Sequence, residues 1–482
     1  MVLSLWLFCP AVGHAGGAAQ PESFVFTNVT VIDATGADAK PDMTVVITGN
    51  RIAAVDRTGQ VRIPEGAAVV DATGKFLIPG LWDMHVHALS EDRLGPYFAL
   101  LLANGVTGVR DMGSPMSLPG ISRVRGQIEA GKVQAPRIGA ATGRILEGSQ
   151  AGEWGSWTVF KVIRTPEEGA REVAALERDG ADFVKVYNTL PRDVYFAIAA
   201  EAKKRGIPFV GHVPFAVSTP EAADAGQKSI EHLLEGILLI DCAARAATLR
   251  KELLAQGVVS DLSRVPDFYA RVLTKAMDDY DEKAAAAVFR RFVRKGVWHV
   301  PTLTLGRTHP LRREDPIPDD SWLKYVPAPI QRDWDKYRGR DRKPEDFDFA
   351  ERLWKKRLEL VKSMNRAGVR ILAGSDTGWG NEYTFPGFSL HDELALLVEA
   401  GLTPMESLQA ATRNAAEFLN REKDLGTVER GKLADLVLLE ADPLKEIKNT
   451  RKIAAVVYGG KMLSKQRLKE MVGGVEAAAY KK

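Results

Sequence analysis

Apolar and polar positions follow two different rhythms along this chain. Between residues 22 and 79 the rhythm is short: Phe24–Val29, Thr44–Thr48, Arg51–Val55 and Ala68–Asp71 read as strands. Turn residues, Thr48–Gly49–Asn50 and Thr73–Gly74, punctuate them. The same rhythm returns at the other end in Ala434–Leu439 and Ile453–Tyr458, followed by Gly459–Gly460–Lys461. Two strand-rich ends of one chain can pair, which predicts one small β-sandwich built from both.

The body between them alternates strand-like and helix-like runs. Strand candidates are Gly80–His87, Val106–Asp111, Arg137–Ala141, Phe183–Tyr187, Phe209–His212, Ser229–His232, Trp298–Leu303 and Val369–Asp376. Amphipathic runs such as Pro166–Arg178, Pro191–Arg205 and Pro220–Ala225 lie between them, each opening with a proline in the first helical turn. Strands alternating with helices in this way predict an α/β fold, a distorted (β/α)8 TIM barrel. The expected layout is a signal peptide over 1–20, the sandwich over 21–79 and 421–482, and the barrel over 80–420. Two segments exceed one crossover. Residues 234–296 read as several helices. Residues 306–360 carry Trp322, Tyr325, Trp334, Tyr337 and Trp354 among many charges, and read as a lid or an oligomer contact.

Composition changes little: 45% hydrophobic, 26% charged and a net charge of +3 describe an ordinary globular chain. That balance points to neither a nucleic-acid partner nor an acidic one, and the basic run Arg338–Lys343 reads as a solvated loop. Residues 1–20 lack Asp, Glu, Lys and Arg, with an apolar Val2–Ala11 and a small-residue Ala15–Ala19. This reads as a secretory signal cleaved near Ala15 or Ala19, placing the mature protein in the periplasm or outside the cell. A cytoplasmic location is the alternative if the segment is not a signal. The stretch is too short to span a bilayer, so no membrane partner is expected. Cys9 would leave with that peptide and Cys242 would stand alone, excluding an intramolecular disulfide framework.

The chemistry gathers at strand ends. His85 and His87 close the first strand candidate, two residues apart and therefore on one face, so both imidazoles can reach one ion. Lys185, His212, His232 and Asp376 end four further strands, and barrel active sites are built from such ends. Imidazoles with a carboxylate suit zinc and related first-row ions. Four histidines exceed the needs of one tetrahedral zinc, which predicts two divalent ions.

With these residues in place the chain resembles the amidohydrolase superfamily. Pro79–Gly80–Leu81–Trp82–Asp83–Met84–His85–Val86–His87 is similar to its first-strand motif. Lys185 in Phe-Val-Lys-Val-Tyr, His212 in Val-Gly-His, His232 in Ile-Glu-His and Asp376 in Leu-Ala-Gly-Ser-Asp resemble its later ligands. The resemblance covers roughly residues 24–475, including Gly401–Asn414. It is strongest towards imidazolonepropionase-like enzymes, Xaa-Pro/Xaa-Arg dipeptidases and ochratoxin-hydrolysing amidohydrolases. It implies that His85, His87 and Asp376 hold one ion and His212 and His232 the other. Lys185 would bridge them as an N-carboxylated lysine. A lysine paired with a core carboxylate is the plainer alternative. The imidazolonepropionase reading needs one metal and no such lysine, so Lys185 argues against it.

The implied reaction is cleavage of an amide bond in a dipeptide or N-acyl amino acid by a metal-bridging hydroxide, with Asp376 shuttling the proton. Tyr187 shares the inward face with Lys185 and is a candidate donor to an oxyanion or a substrate carboxylate. The bland reading of Tyr187 is barrel packing. Arg144 could bind a substrate carboxylate in bidentate fashion, or lie on the surface. Related dipeptidases tend to carry Gly-Gly-His after the third strand, where this chain reads Thr142–Gly143–Arg144–Ile145–Leu146–Glu147–Gly148. His391 opens a helix and is expected to support Asp376 or the loop around it. A cyclic amide, lactone or phosphotriester substrate is the enzymatic alternative, and a non-catalytic scaffold the remote one. The resemblance also admits a homo-oligomer.

Overall fold

The computed structural model describes residues 23–91, 94–148, 159–233, 237–255, 269–307, 320–337, 343–378 and 380–479. The expected signal segment lies outside the described residues. No helix among the described residues is long and apolar enough to cross a membrane.

The two chain ends form one eight-stranded sheet. Ser23–Val31 lies near its middle, flanked by Lys40–Thr48 and Arg51–Arg57 on one side. Phe76–Pro79 joins it in parallel on the other side and pairs in turn with Leu436–Leu439 of the C-terminal segment. The sheet rolls onto itself, because Ile52 N donates to Lys432 O and Ala434 N to Asn50 O, each at 2.9 Å. Its apolar face becomes a shared core of Phe26, Val45, Ile47, Leu436, Leu438 and Val457. The alternating patterns at both ends of the chain therefore describe one structure.

The barrel strands are Leu81–Val86, Val106–Asp111, Arg137–Ala141, Val184–Val186, Phe209–Gly211, Ser229–Glu231, Trp298–Val300 and Arg370–Ile371. They are parallel to their neighbours where they pair. Met84 N donates to Ala373 O at 2.9 Å, and Asp376 N to His85 O at 2.8 Å, joining the eighth strand to the first. Gly374 permits this approach: a Cβ there would sit 2.8 Å from His85 Cβ and 2.7 Å from Val300 Cγ1. Trp82, Met84, Phe183, Val210, Trp298 and Leu372 share one buried cluster.

The barrel is irregular at its third strand. Arg137–Ala141 pairs with the second strand, and after a break Ile145–Glu147 pairs with the fourth. Sequence patterning does not reveal Ile145–Glu147, a run of three residues, as a strand. Residues 237–295 supply several helices where described, including Ala246–Ala255 and Glu282–Lys295. Within the second long segment, Asp320–Tyr325 and Ala328–Tyr337 dock on the chain that follows the eighth strand. Trp334 packs 5.4 Å from Tyr383 and 5.7 Å from Phe385, and Trp322 stacks 4.7 Å from Phe388, all centroid distances.

Candidate metal centre

The structure brings His85, His87, Lys185, His212, His232 and Asp376 together at the C-terminal mouth of the barrel. Asp376 Oδ1 lies 3.3 Å from His85 Nε2 and 3.2 Å from His87 Nε2. One ligand atom from each of these three lies within 4.8 Å of the others. His232 lies 4.6 Å from the His85 ring and His212 4.7 Å from the His232 ring, so the four imidazoles form one continuous group. Lys185 Nζ sits 3.4 Å from His85 Nε2.

Each imidazole is oriented through its Nδ1. His85 Nδ1 faces Glu231 Oε2 at 3.0 Å, and His87 Nδ1 faces the Gly113 carbonyl at 2.5 Å. His212 Nδ1 meets Asn188 Oδ1 at 2.7 Å, and His232 Nδ1 meets Thr302 Oγ1 at 2.6 Å. The carboxylate, carbonyl and amide oxygens beside His85, His87 and His212 are acceptors and place the proton on Nδ1, and the Thr302 hydroxyl can accept the same proton from His232; Nε2 is then the lone-pair nitrogen, the arrangement of imidazoles that bind metal. The donor set therefore fits divalent ions. Asp376 Oδ1, buried and without a hydrogen-bond donor among the described residues, is flanked by the Nε2 atoms of His85 and His87.

The backbone is bent to achieve this. His232, Thr302 and Asp376 follow consecutive barrel strands and all adopt positive φ, at 65°, 45° and 54°. Such conformations cost side-chain-bearing residues on the order of 1–3 kcal/mol each and concentrate at functional sites. The consequence at His232 is specific. Glu231 already points into the barrel, so strand alternation would send its neighbour outward. The left-handed turn brings His232 back beside His85.

Below the histidines lies a buried ion pair absent from the sequence-based site. Arg110 Nη2 donates to Glu231 Oε1 and Oε2 at 2.9 and 2.8 Å, and Arg110 Nε to Met84 O at 2.6 Å. Both side chains are fully buried. Glu231 thus carries Arg110 on one side and His85 on the other. Its position next to a histidine was visible in the sequence, but its direction was not.

Burial dominates the electrostatics. It holds the His85 imidazole well below its ordinary pKa, helped by the Lys185 charge, and so favours the neutral ligand form. It lowers the Lys185 ammonium to about 8, against the opposing pull of Asp376 and Glu231. Burial pushes the Asp376 carboxyl up, but the imidazoles of His232 and His87 and the Lys185 ammonium bring it below its usual value.

The remaining sequence candidates sit elsewhere or differently. Tyr187 packs its ring against His212, centroids 4.1 Å apart and the planes tilted by 34°, with Phe160 edge-on to it at 5.1 Å. Arg144 is not gathered with the histidines: its side chain is 55% exposed and lies 3.8 Å from Glu172. His391 does not contact Asp376. Its ring nitrogens meet Thr450 Oγ1 at 2.9 Å and the Asn104 carbonyl at 3.0 Å, and burial lowers its pKa to about 3. Asn381, by contrast, donates to the Asp376 carbonyl at 2.6 Å, a support that no sequence signal indicated.

Residues 76–463 match the Amidohydrolase family profile. An adenine deaminase of Chelativorans sp. (strain BNC1) is 31% identical over 208 residues, 41% of this chain and 33% of that protein. Ochratoxinase of Aspergillus niger is 36% identical over 110 residues, 22% of each chain. The chain thus aligns with a third or less of the length of these relatives. Among solved structures, bottromycin amidohydrolase superposes with a TM-score of 0.72 at 22% identity, covering 96% of this chain and 92% of that one. A Xaa-Pro dipeptidase with bound methionine gives 0.63 at 21%, covering 92% and 100%. At such identities the likeness concerns the fold. The family profile, however, runs from the last strand before the barrel, through every strand end described above, into the C-terminal strands, and the chain belongs to the amidohydrolase family.

Proposed function

We propose that the protein is a binuclear metal-dependent hydrolase that cleaves an amide bond in a dipeptide or N-acyl amino acid. The observation that carries this reading is the common orientation of four imidazoles, each with Nδ1 against an oxygen outside the ligand set, and the Nε2 atoms of His85 and His87 facing Asp376. In this reading His85, His87 and Asp376 hold one ion, His212 and His232 hold the second, and Lys185 links them as an N-carboxylated lysine. Lys185 is only 1% exposed and makes no ion pair with a carboxylate among the described residues. That geometry disfavours a plain structural ammonium, whose burial without a partner is costly. The lowered pKa makes the neutral amine, the form that reacts with carbon dioxide, accessible near neutral pH.

Two divalent ions bound there, zinc or a related metal, would acidify a water and polarise the scissile carbonyl. Asp376 takes the proton from the attacking water as its oxygen bonds to the carbonyl carbon. The same carboxyl then returns the proton to the nitrogen as the C–N bond breaks, because an amide anion is a poor leaving group. Tyr187 flanks the His212 side, where its hydroxyl serves as a donor to substrate. Burial of the whole cluster excludes bulk water and strengthens each of these interactions.

A cyclic amide or an exocyclic amine on a ring is the second reading. It is favoured by Arg144, which faces Glu172 rather than the histidines and so supplies no carboxylate clamp there. A partial match to an adenine deaminase points the same way.

Elemental analysis of purified protein, paired with turnover of free and C-terminally blocked dipeptides, tests the proposal. Two equivalents of metal and hydrolysis of peptides with a free carboxylate are expected. One equivalent would overturn the binuclear site. Two equivalents with turnover confined to cyclic amides or aminopurines would replace the substrate class.

A further inference from the structure

Glu147 ends the short strand Ile145–Glu147 that replaces the upper part of the third barrel strand, and its side chain is fully buried. All its described hydrogen bonds converge on Oε1. The backbone N–H of Thr189 donates to it at 2.9 Å, that of Gly148 at 2.5 Å, and the Thr189 hydroxyl adds a short contact. Among the described residues Oε2 is buried without a hydrogen-bond partner. Thr189 directly follows Asn188, whose Oδ1 receives His212 Nδ1 at 2.7 Å and whose carbonyl accepts from Phe215 N at 2.9 Å.

Gly148 presses on the same turn. A Cβ on it would lie 2.1 Å from the Thr189 carbonyl oxygen and 2.8 Å from Leu190 Cα. Both partners there are backbone, which cannot swing aside as a side chain can. Glu147 by hydrogen bonding and Gly148 by close packing thus both hold residues 189–190, directly after Asn188.

Resting on the two-ion reading above, we propose that Glu147 is a positioning residue for His212, acting through the Thr189 backbone and the Asn188 amide. The carboxylate fixes the turn, the turn fixes Asn188, and Asn188 fixes the tautomer and ring plane of His212. Partners that orient metal ligands are worth about 10–100-fold in metal affinity when removed.

The test uses the full-length protein with Glu147→Ala, Glu147→Gln and Gly148→Ala, each checked for folding by its melting curve. Glu147→Ala and Gly148→Ala are expected to weaken the second metal equivalent about 10–100-fold in chelator competition, leaving the first unchanged. Glu147→Gln keeps an acceptor oxygen and should recover most of that loss. In a double-mutant cycle Glu147→Ala and Asn188→Ala should be non-additive, because they cut one chain of contacts. A crystal structure of Glu147→Ala, or of Glu147→Gln if the alanine variant does not fold, reads the geometry directly. A displaced 188–190 turn and a rotated His212 ring in the alanine variant support the proposal. An unmoved His212 ring, wild-type affinity for the second ion, or additive energies would overturn it. One metal equivalent in the wild type would instead defeat the binuclear reading, while the His212 ring position would still decide the role of Glu147.

Discussion

The two halves of the proposed metal centre differ in what aims their imidazoles. His85, His87 and Asp376 lie where the first and eighth strands meet, and the main chain places them: Asp376 N donates to His85 O and His87 N to Thr377 O, each at 2.8 Å. Lys185, His212 and His232 occupy the fourth, fifth and sixth strands, but both histidines lie one residue beyond the strands themselves. Their rings are aimed by Asn188 and Thr302, side chains from other loops. Main-chain pairing anchors the second half as well, since His212 N donates to Val186 O at 3.0 Å and His232 N to Val300 O at 2.8 Å. What differs is the oxygen at Nδ1: the Glu231 carboxylate and the Gly113 carbonyl in the first half, two neutral loop side chains in the second. Both props of the second half can be removed by single substitutions, and that half should be the more sensitive to changes away from its ligands.

The largest expected effect attacks the first half at its chemistry. Asp376→Asn keeps the shape and removes the proton acceptor, and kcat should fall by about 100- to 10,000-fold. Steady-state rates on the best amide substrate decide it, and near wild-type turnover would remove Asp376 from the proton pathway.

Glu231→Ala removes the carboxylate beside His85 Nδ1 in that half. It leaves the Arg110 guanidinium buried without its partner, and removal of one member of such a pair costs about 3–5 kcal/mol. Denaturant unfolding of the metal-free protein measures this. A loss below about 1 kcal/mol, within the range of ordinary surface substitutions and weak pairs, would show that Arg110 finds another anchor.

Thr302→Val tests the second half. It preserves β-branching at the strained position and removes only the oxygen beside His232 Nδ1. Metal affinity of the second equivalent should drop by about tenfold, as for other supporting contacts. Competition with a chelator reads the change, and an equal loss at both equivalents would contradict the division into two halves.

Arg144→Ala should do least. With its side chain largely in solvent and its carboxylate partner at 3.8 Å, its loss should alter stability by about 0.5 kcal/mol or less. A large rise in KM for peptides with a free carboxylate would instead bring Arg144 back as a substrate residue.

Much of the barrel was readable from patterning. The second and third strands and the helix Pro166–Arg178 have the bounds that hydrophobic rhythm and the proline signals indicate. Others are shorter than their apolar runs: Val369–Asp376 contributes only Arg370–Ile371 as regular strand. The rest of that run keeps single main-chain hydrogen bonds to its neighbours, such as Asp376 N to His85 O, while Asp376 turns at positive φ. The helix Lys465–Ala479 carries no clear mark in the patterning, because its two glycines and mixed surface give a weak periodicity. The site divides similarly. Histidine, lysine and aspartate at strand ends announce themselves by residue type. Asn188, Thr302 and Glu147 do not, because polar residues after strands are common in any loop.

By itself, the sequence determined which side chains could bind metal and that they end separate strands of one barrel. Residue chemistry and strand periodicity are local properties, readable within a few positions. Only the tertiary structure decided which way Glu231 and His232 both face, which oxygen meets each imidazole, and that Arg144 and His391 stand apart from the cluster. Those outcomes depend on left-handed backbone turns and on contacts between residues far apart in the chain, from 24 positions for His212 and Asn188 to 146 for His85 and Glu231. No local pattern encodes such a meeting, because it exists only once the eight strands have closed.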